Sequence, residues 1–172
     1  MSNGLLLARV VIGLLMAAHG SQKLFGWFGG YGLTKTGEFF GFLGFQPGKL
    51  FAAAASLAEI TGGLLVATGF LGPVGPALII SVMIVAMMTV HWSHGLFASD
   101  NGIEVPLLNI TVALTLVLIG YGQYSLDAWL GLADRWTPAI KGIVVGAGVL
   151  GSIANLALRR RPATTTTAAS GA

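Results

Sequence analysis

Five apolar stretches, each about as long as a membrane-spanning helix requires, set the limits on this fold. They run over Gly4–Lys23, Lys49–Phe70, Pro73–His91, Val105–Gln123 and Pro138–Leu158. Only 9% of the 172 residues are charged and 55% are hydrophobic. Soluble domains carry about 25% charged residues, so too few are present to coat a water-exposed surface. An all-α membrane protein follows. The first stretch lacks the basic leader of a signal peptide, holds Arg9 within its apolar run, and reads as a retained helix. The absence of cysteine excludes disulfides, thiol catalysis and thiolate-bound iron–sulfur or metal centres in this chain. The net charge of +3 comes mostly from Arg159, Arg160 and Arg161 and reports on topology; nothing supports nucleic-acid binding.

Between the first two stretches lies "GWFGGYGLTKTGEFFGFLGFQPG", too broken by glycine to span. Thr34 is expected to cap a short helix there, with Phe39, Phe40, Phe42 and Leu43 in the membrane interface and Trp27 and Tyr31 at headgroup level. "GFLGPVGP" predicts a tight hairpin between the second and third helices. The fifth helix carries Lys141 and two small-xxx-small spacings, Gly142 to Gly146 and Gly148 to Ser152, which suit close helix contact and a homo-oligomer. The first four stretches and their loops occupy residues 1–132, the fifth 133–158, and 159–172 form a basic, then Thr/Ala-rich tail expected to be disordered. Lys23, Lys35, Lys49 and the arginine triplet fall on one side of the bilayer, which places the N-terminus outside and the C-terminus in the cytoplasm.

Polar residues inside the apolar runs mark the faces that should meet one another, because lipid cannot hydrogen-bond them. Arg9, Met16, His19 and Lys23 fall within about 80° of one another on a helix. Ala52, Ser56, Glu59 and Gly63 share a face of the second helix, Met83, Met87, His91 and His94 one of the third, and Glu104, Leu108, Thr111 and Thr115 one of the fourth. Glu59 lies about 15 Å from either end of its helix at 1.5 Å per residue. A charge at that depth costs about 2.5–3.5 kcal/mol, so it needs a partner or a bound proton. Two readings stand: a proton-active carboxylate in a ligand cavity, or a buried pair with Arg9 or His19 that fixes helix register. Lys23 is expected to snorkel to lipid phosphate, and Asp127 to act as a helix N-terminal acid. His91 and His94 are read as interfacial side chains above core methionines, with a metal or haem pair as the alternative and no metal site assigned.

The ordered motifs "HGSQKLFG", "AEITGGLL", "HWSHGLF", "EVPL" and "YSLD" resemble the DoxX family of small prokaryotic membrane proteins, over about Arg9 to Gly131. The resemblance implies a four-helix bundle in the cytoplasmic membrane and quinone-linked redox activity, as in thiosulfate:quinone oxidoreductase subunits or membrane oxidoreductase complexes. The added C-terminal helix lies outside that core. The matching positions are Arg9, His19, Gly20, Lys23, Gly26, Glu59, Gly62, Gly63, His91, Glu104 and Asp127. The family's last motif reads G-P-G-R-Y-S-L-D, where this chain has "GYGQYSLD", so Gln123 replaces a basic residue. The expected site has Glu59 and His19 as catalytic groups, Arg9, Lys23, His91 and Glu104 around a quinone, and no metal. With no cysteines, no firm haem pair and no dinucleotide glycine motif, electrons are expected to arrive from a partner or from a substrate bound next to the quinone, which suits a subunit rather than a complete enzyme. A non-catalytic anchor for soluble oxidoreductases is the alternative, and a small transporter with Glu59 as coupling carboxylate a further one, though no inverted repeat supports it.

Overall fold

The structure, a computed structural model, describes residues 2–160. Arg161 and the Thr/Ala-rich tail lie outside the described residues. α1 (Ser2–Phe25) crosses to a short helix, α2 (Gly32–Phe42), and α3 (Gly48–Thr68) returns. α4 (Val74–Ala86) continues through a π turn, Met87–His91, into a tight turn, Trp92–His94. α5 (Glu104–Ile119), the four-residue α6 (Leu126–Trp129) and α7 (Pro138–Leu158) complete the chain. Among the described residues four helices are long and apolar enough to cross a membrane: α1, α3, α4 with its continuation to His94, and α7. The bundle packs around Met16, Val66, Ile79, Ile80, Met83, Leu116 and Tyr121.

The antiparallel pair of α1 and α3 makes the most extensive contact in the fold. Glycine lets the two backbones meet. A methyl group on Gly13 would lie 2.5 Å from the Gly63 carbonyl oxygen, and one on Gly63 would lie 2.6 Å from the Ala17 nitrogen. Both obstacles are backbone, so relief requires the helices to part. Gly63→Val is therefore expected to cost about 3 kcal/mol, the upper range for overpacking a tight interface. Thermal unfolding in mild detergent reads this; an unchanged melting temperature would show that the helices do not touch there. The expected α3 face is found: Ala52, Ser56 and Glu59 are fully buried, and Gly63 is buried with them.

α7 matches the expected stretch, with Pro138 in its first turn and the Thr137 hydroxyl accepting from the Ile140 N–H at 3.3 Å. Its two small-residue spacings part company. A methyl on Gly148 would meet the Ala77 carbonyl oxygen of α4 at 2.7 Å, whereas Gly142 and Gly146 have nothing within 4 Å.

Three expectations are corrected. α5 stops at Ile119, not Gln123, because Gly120 and Gly122 take positive φ, which no right-handed helix continues. At 16 residues it spans about 24 Å, short of a typical hydrocarbon core. Its inward face is Pro106, Ala113, Leu116 and Val117, while Leu108, Thr111 and Thr115 are exposed. The two threonines donate to the carbonyls one turn back, at 2.8 and 2.9 Å, so they need no partner helix. α2 begins after Tyr31 with no side-chain cap, so Thr34 is not its cap. Thr36 does the docking instead: its hydroxyl lies 2.8 Å from the Gly32 carbonyl and 3.2 Å from that of Lys23, at the end of α1.

Candidate functional site

A cleft of about 580 Å³ opens among the helices toward the end where α1, α4 and α7 finish and α3 and α5 begin. Its body is apolar, with Met16, Phe40, Phe51, Ala58 and Met83 among its walls. Its polar groups are Lys23 and His19 from α1, His91 and Thr89 from the end of α4, Ser81, Asn109 and Asn155. Most of these lie within a few turns of one membrane face.

Lys23 Nζ donates to Glu59 Oε1 at 2.7 Å, with the lysine 23% exposed and the glutamate fully buried. Helix side chains lean toward their own N-terminus. On antiparallel helices, Lys23 and Glu59 lean toward each other, so the ammonium points into the bilayer rather than out to the headgroups. The expected snorkelling of Lys23 is thus overturned. The uncompensated cost of the buried carboxylate supplies the driving force. Glu59 Oε2 has no hydrogen-bond partner. Glu59 does not itself line the cleft; it stands behind Lys23 and holds the ammonium at the wall.

Arg9 is drawn elsewhere. It is 1% exposed, donates to the Ala67 carbonyl at 2.7 Å, reaches the Val66 carbonyl at 3.5 Å, and donates to the Tyr124 carbonyl. It caps the C-terminus of α3, where unpaired carbonyls and the helix dipole favour a cation. Gly69, the left-handed residue that closes α3, leaves room for it: a methyl there would lie 2.6 Å from Arg9 Nη1. Neither the Glu59–Arg9 nor the Glu59–His19 register pair forms.

Glu104 also leaves the cleft. Its carboxylate accepts from the Ala98 N–H at 2.8 Å and closes the loop before α5. His91 Nδ1 meets the Asn101 carbonyl at 2.7 Å, and His94 Nδ1 the Val90 carbonyl at 2.8 Å. Among the described residues no three metal-ligating side chains gather. The cleft therefore unites His19, Lys23 and His91, with Glu59 behind them. Asn109 and Asn155 were missed in the sequence, since a single amide in an apolar helix gives no pattern to read.

A second polar cluster stands at the opposite end. Asp127, 2% exposed, accepts from the N–H groups of Leu71 and Gly72 at 2.9 and 2.7 Å and from Trp136 Nε1 at 2.8 Å. Nearby Tyr121 is buried and its hydroxyl has no partner. Burial, and secondarily the charge of Asp127, raise the phenol far above its ordinary pKa, so it stays a donor. Asp127 thus does more than sit at a helix N-terminus; it clamps the turn between α3 and α4.

Antiparallel spanning helices around one amphipathic cleft define a multi-pass α-helical membrane protein with a ligand-sized site. The chain belongs to the DoxX family, whose model matches residues 4–92. That range holds Arg9, His19, Lys23, Glu59 and His91, and leaves Glu104 and the "YSLD" segment outside. No curated protein and no solved structure matches the chain.

Proposed function

We propose that this protein is the membrane subunit of a quinone-linked redox system, and that the cleft between its helices holds the quinone ring. The supporting observation is the cleft itself: about 580 Å³ of apolar space with the Lys23–Glu59 pair and His19 at its polar end. Pockets for small lipophilic ligands share this build, apolar walls with a few placed polar groups. The residues suit a quinone, with apolar walls for ring and tail, an ammonium donor in Lys23, and imidazoles that can hold or pass protons. A quinone bound there would supply two-electron, two-proton chemistry. The chain's own part is to bind, to orient and to manage protons. Glu59 fixes Lys23 at the wall, Lys23 offers hydrogens to a ring oxygen, and His19 accepts or returns a proton beside it. With no cysteine in the chain, electrons come from a partner subunit or from a substrate bound next to the quinone.

The protein then lies in a prokaryotic cytoplasmic membrane with the cleft toward the cytoplasm, because Lys23, Lys35, Lys49 and Arg159 gather at that end. The same end favours the second reading, an anchor for soluble oxidoreductases, since Lys35, Lys49 and Arg160 are exposed there.

Solvent extraction of protein purified in mild detergent tests the proposal. Near-stoichiometric quinone is expected from wild type, with loss from Ala58→Phe, which fills the cleft, and a clear reduction in Glu59→Gln, which removes the charge that holds Lys23. A quinone-free, folded wild type would sink the redox reading and leave the anchor.

A further inference from the structure

The hydrogen bonds around the cleft decide which atoms remain to meet a ligand. A carbonyl oxygen only accepts, so whatever bonds to it must donate. His91 Nδ1 lies 2.7 Å from the Asn101 carbonyl, so Nδ1 carries the hydrogen and, in the neutral ring, Nε2 is the acceptor. His19 is settled through one bond more. Gln22 Nε2 donates to the Phe28 carbonyl at 3.2 Å, which turns its Oε1 to His19 Nδ1 at 3.3 Å. An amide oxygen also only accepts, so His19 too holds its hydrogen on Nδ1 and leaves Nε2 open as an acceptor. The two imidazoles come from different helices, α1 and the end of α4, and line the same cleft.

The other polar groups adapt more readily. Asn109 and Asn155 place Nδ2 on the Val105 and Gly151 carbonyls, each at 3.0 Å, and keep both an oxygen and an N–H available. The Thr89 hydroxyl donates to the Val85 carbonyl at 2.8 Å, which leaves its oxygen as an acceptor. Lys23, with one of its three hydrogens on Glu59, serves any ring oxygen, whether hydroxyl or carbonyl. The Thr89 hydroxyl can turn its hydrogen from the Val85 carbonyl to a ring oxygen, so only the histidines discriminate. A ring bearing hydroxyls donates to their nitrogens, whereas a ring bearing carbonyls sets lone pair against lone pair and leaves the acceptors unpaired.

We propose that the cleft selects the reduced, dihydroxy form of its ring ligand over the dicarbonyl form, through Nε2 of His19 and His91. This rests on the quinone reading above and names the redox state held. A bound ring would cover both imidazoles, and an acceptor so covered and left unpaired costs on the order of a factor of ten in binding, so each histidine contributes about tenfold to the preference.

Anaerobic calorimetric titration of the detergent-solubilised protein provides the test, with three probes: a short-chain benzoquinol, the matching benzoquinone, and the dimethyl ether of the quinol. The ether keeps the ring and loses the donors. The quinol is expected to bind at least about tenfold more tightly than either of the others. His19→Phe and His91→Phe should each narrow the quinol-over-quinone preference by at least about tenfold, weakening the quinol and relieving the unpaired acceptor that opposes the quinone, with tryptophan-fluorescence melting as the check on folding. Equal affinity for all three probes, or tighter binding of the quinone, overturns the selection and leaves the quinone cleft standing. Failure of every probe to bind overturns the cleft reading and the selection together.

Discussion

Lys23→Met lowers the stability of the folded protein by about 3–5 kcal/mol, the range for breaking a buried ion pair from one side. The loss comes less from the missing attraction than from what is left behind. Glu59 is fully buried, with one oxygen already lacking a partner, and without Lys23 its charge has none at all. The double variant Lys23→Met, Glu59→Leu is expected to recover most of the loss, because two apolar side chains of similar volume remove both desolvation costs. Thermal unfolding of the wild type, both single variants and the double variant in one detergent forms the cycle. A single-variant cost below about 1 kcal/mol, the range of exposed pairs, would show that the pair is wetted and weakly coupled. The same set separates structure from function: the double variant should be folded yet depleted of quinone, since it lacks the ammonium that the cleft presents.

The pairing of Lys23 with Glu59 also marks where reading the sequence stops. The apolar runs placed the spanning helices within a few residues, since twenty apolar positions in a row admit few alternatives. The small-residue face around Glu59 was legible because Ala52, Ser56 and Gly63 repeat at helical spacing. Its partner was not. Depth counted along two antiparallel helices puts Arg9 and His19 within range of Glu59, and depth is all that a sequence offers. Lean of side chains and the tight meeting of Gly13 with Gly63 decide the matter, and both are three-dimensional. Arg9 is claimed by carbonyls at the end of α3, an attraction invisible until the helix end is built. The misread face of α5 has a different cause. Thr111 and Thr115 look polar in sequence, yet each bonds its own helix and faces outward at little cost. Of the cleft, His19, Lys23 and His91 were legible by type and position, while the fixed hydrogen on each imidazole depends on the Gln22 side chain and on the Phe28 and Asn101 carbonyls, whose placement only the folded loops decide.

Asp127→Ala should cost about 3–5 kcal/mol, while Asp127→Asn should cost about 1–2 kcal/mol, since three donors to a charged group at about 1–3 kcal/mol each are at stake. The carboxylate takes the N–H groups of Leu71 and Gly72 and the indole of Trp136, while the Asp127 N–H donates to the Gly69 carbonyl at 3.0 Å. Alanine leaves three half-buried donors unpaired; asparagine keeps one acceptor oxygen for them. The clamp joins the α3–α4 turn to the segment that leads into α7, and Arg9 adds α1 by donating to Tyr124 beside it. All of this lies at the end of the bundle away from the cleft. Both substitutions should therefore lower the melting temperature while leaving the quinone content of whatever protein stays folded near the wild-type value. An Asp127→Asn protein that melts like wild type but loses its quinone would move the ligand to this end of the bundle, to the small space that Tyr121, Asp127 and Trp136 share. Retention of quinone with lowered stability would instead assign the two ends separate work, one locking the helices together and the other meeting the ligand.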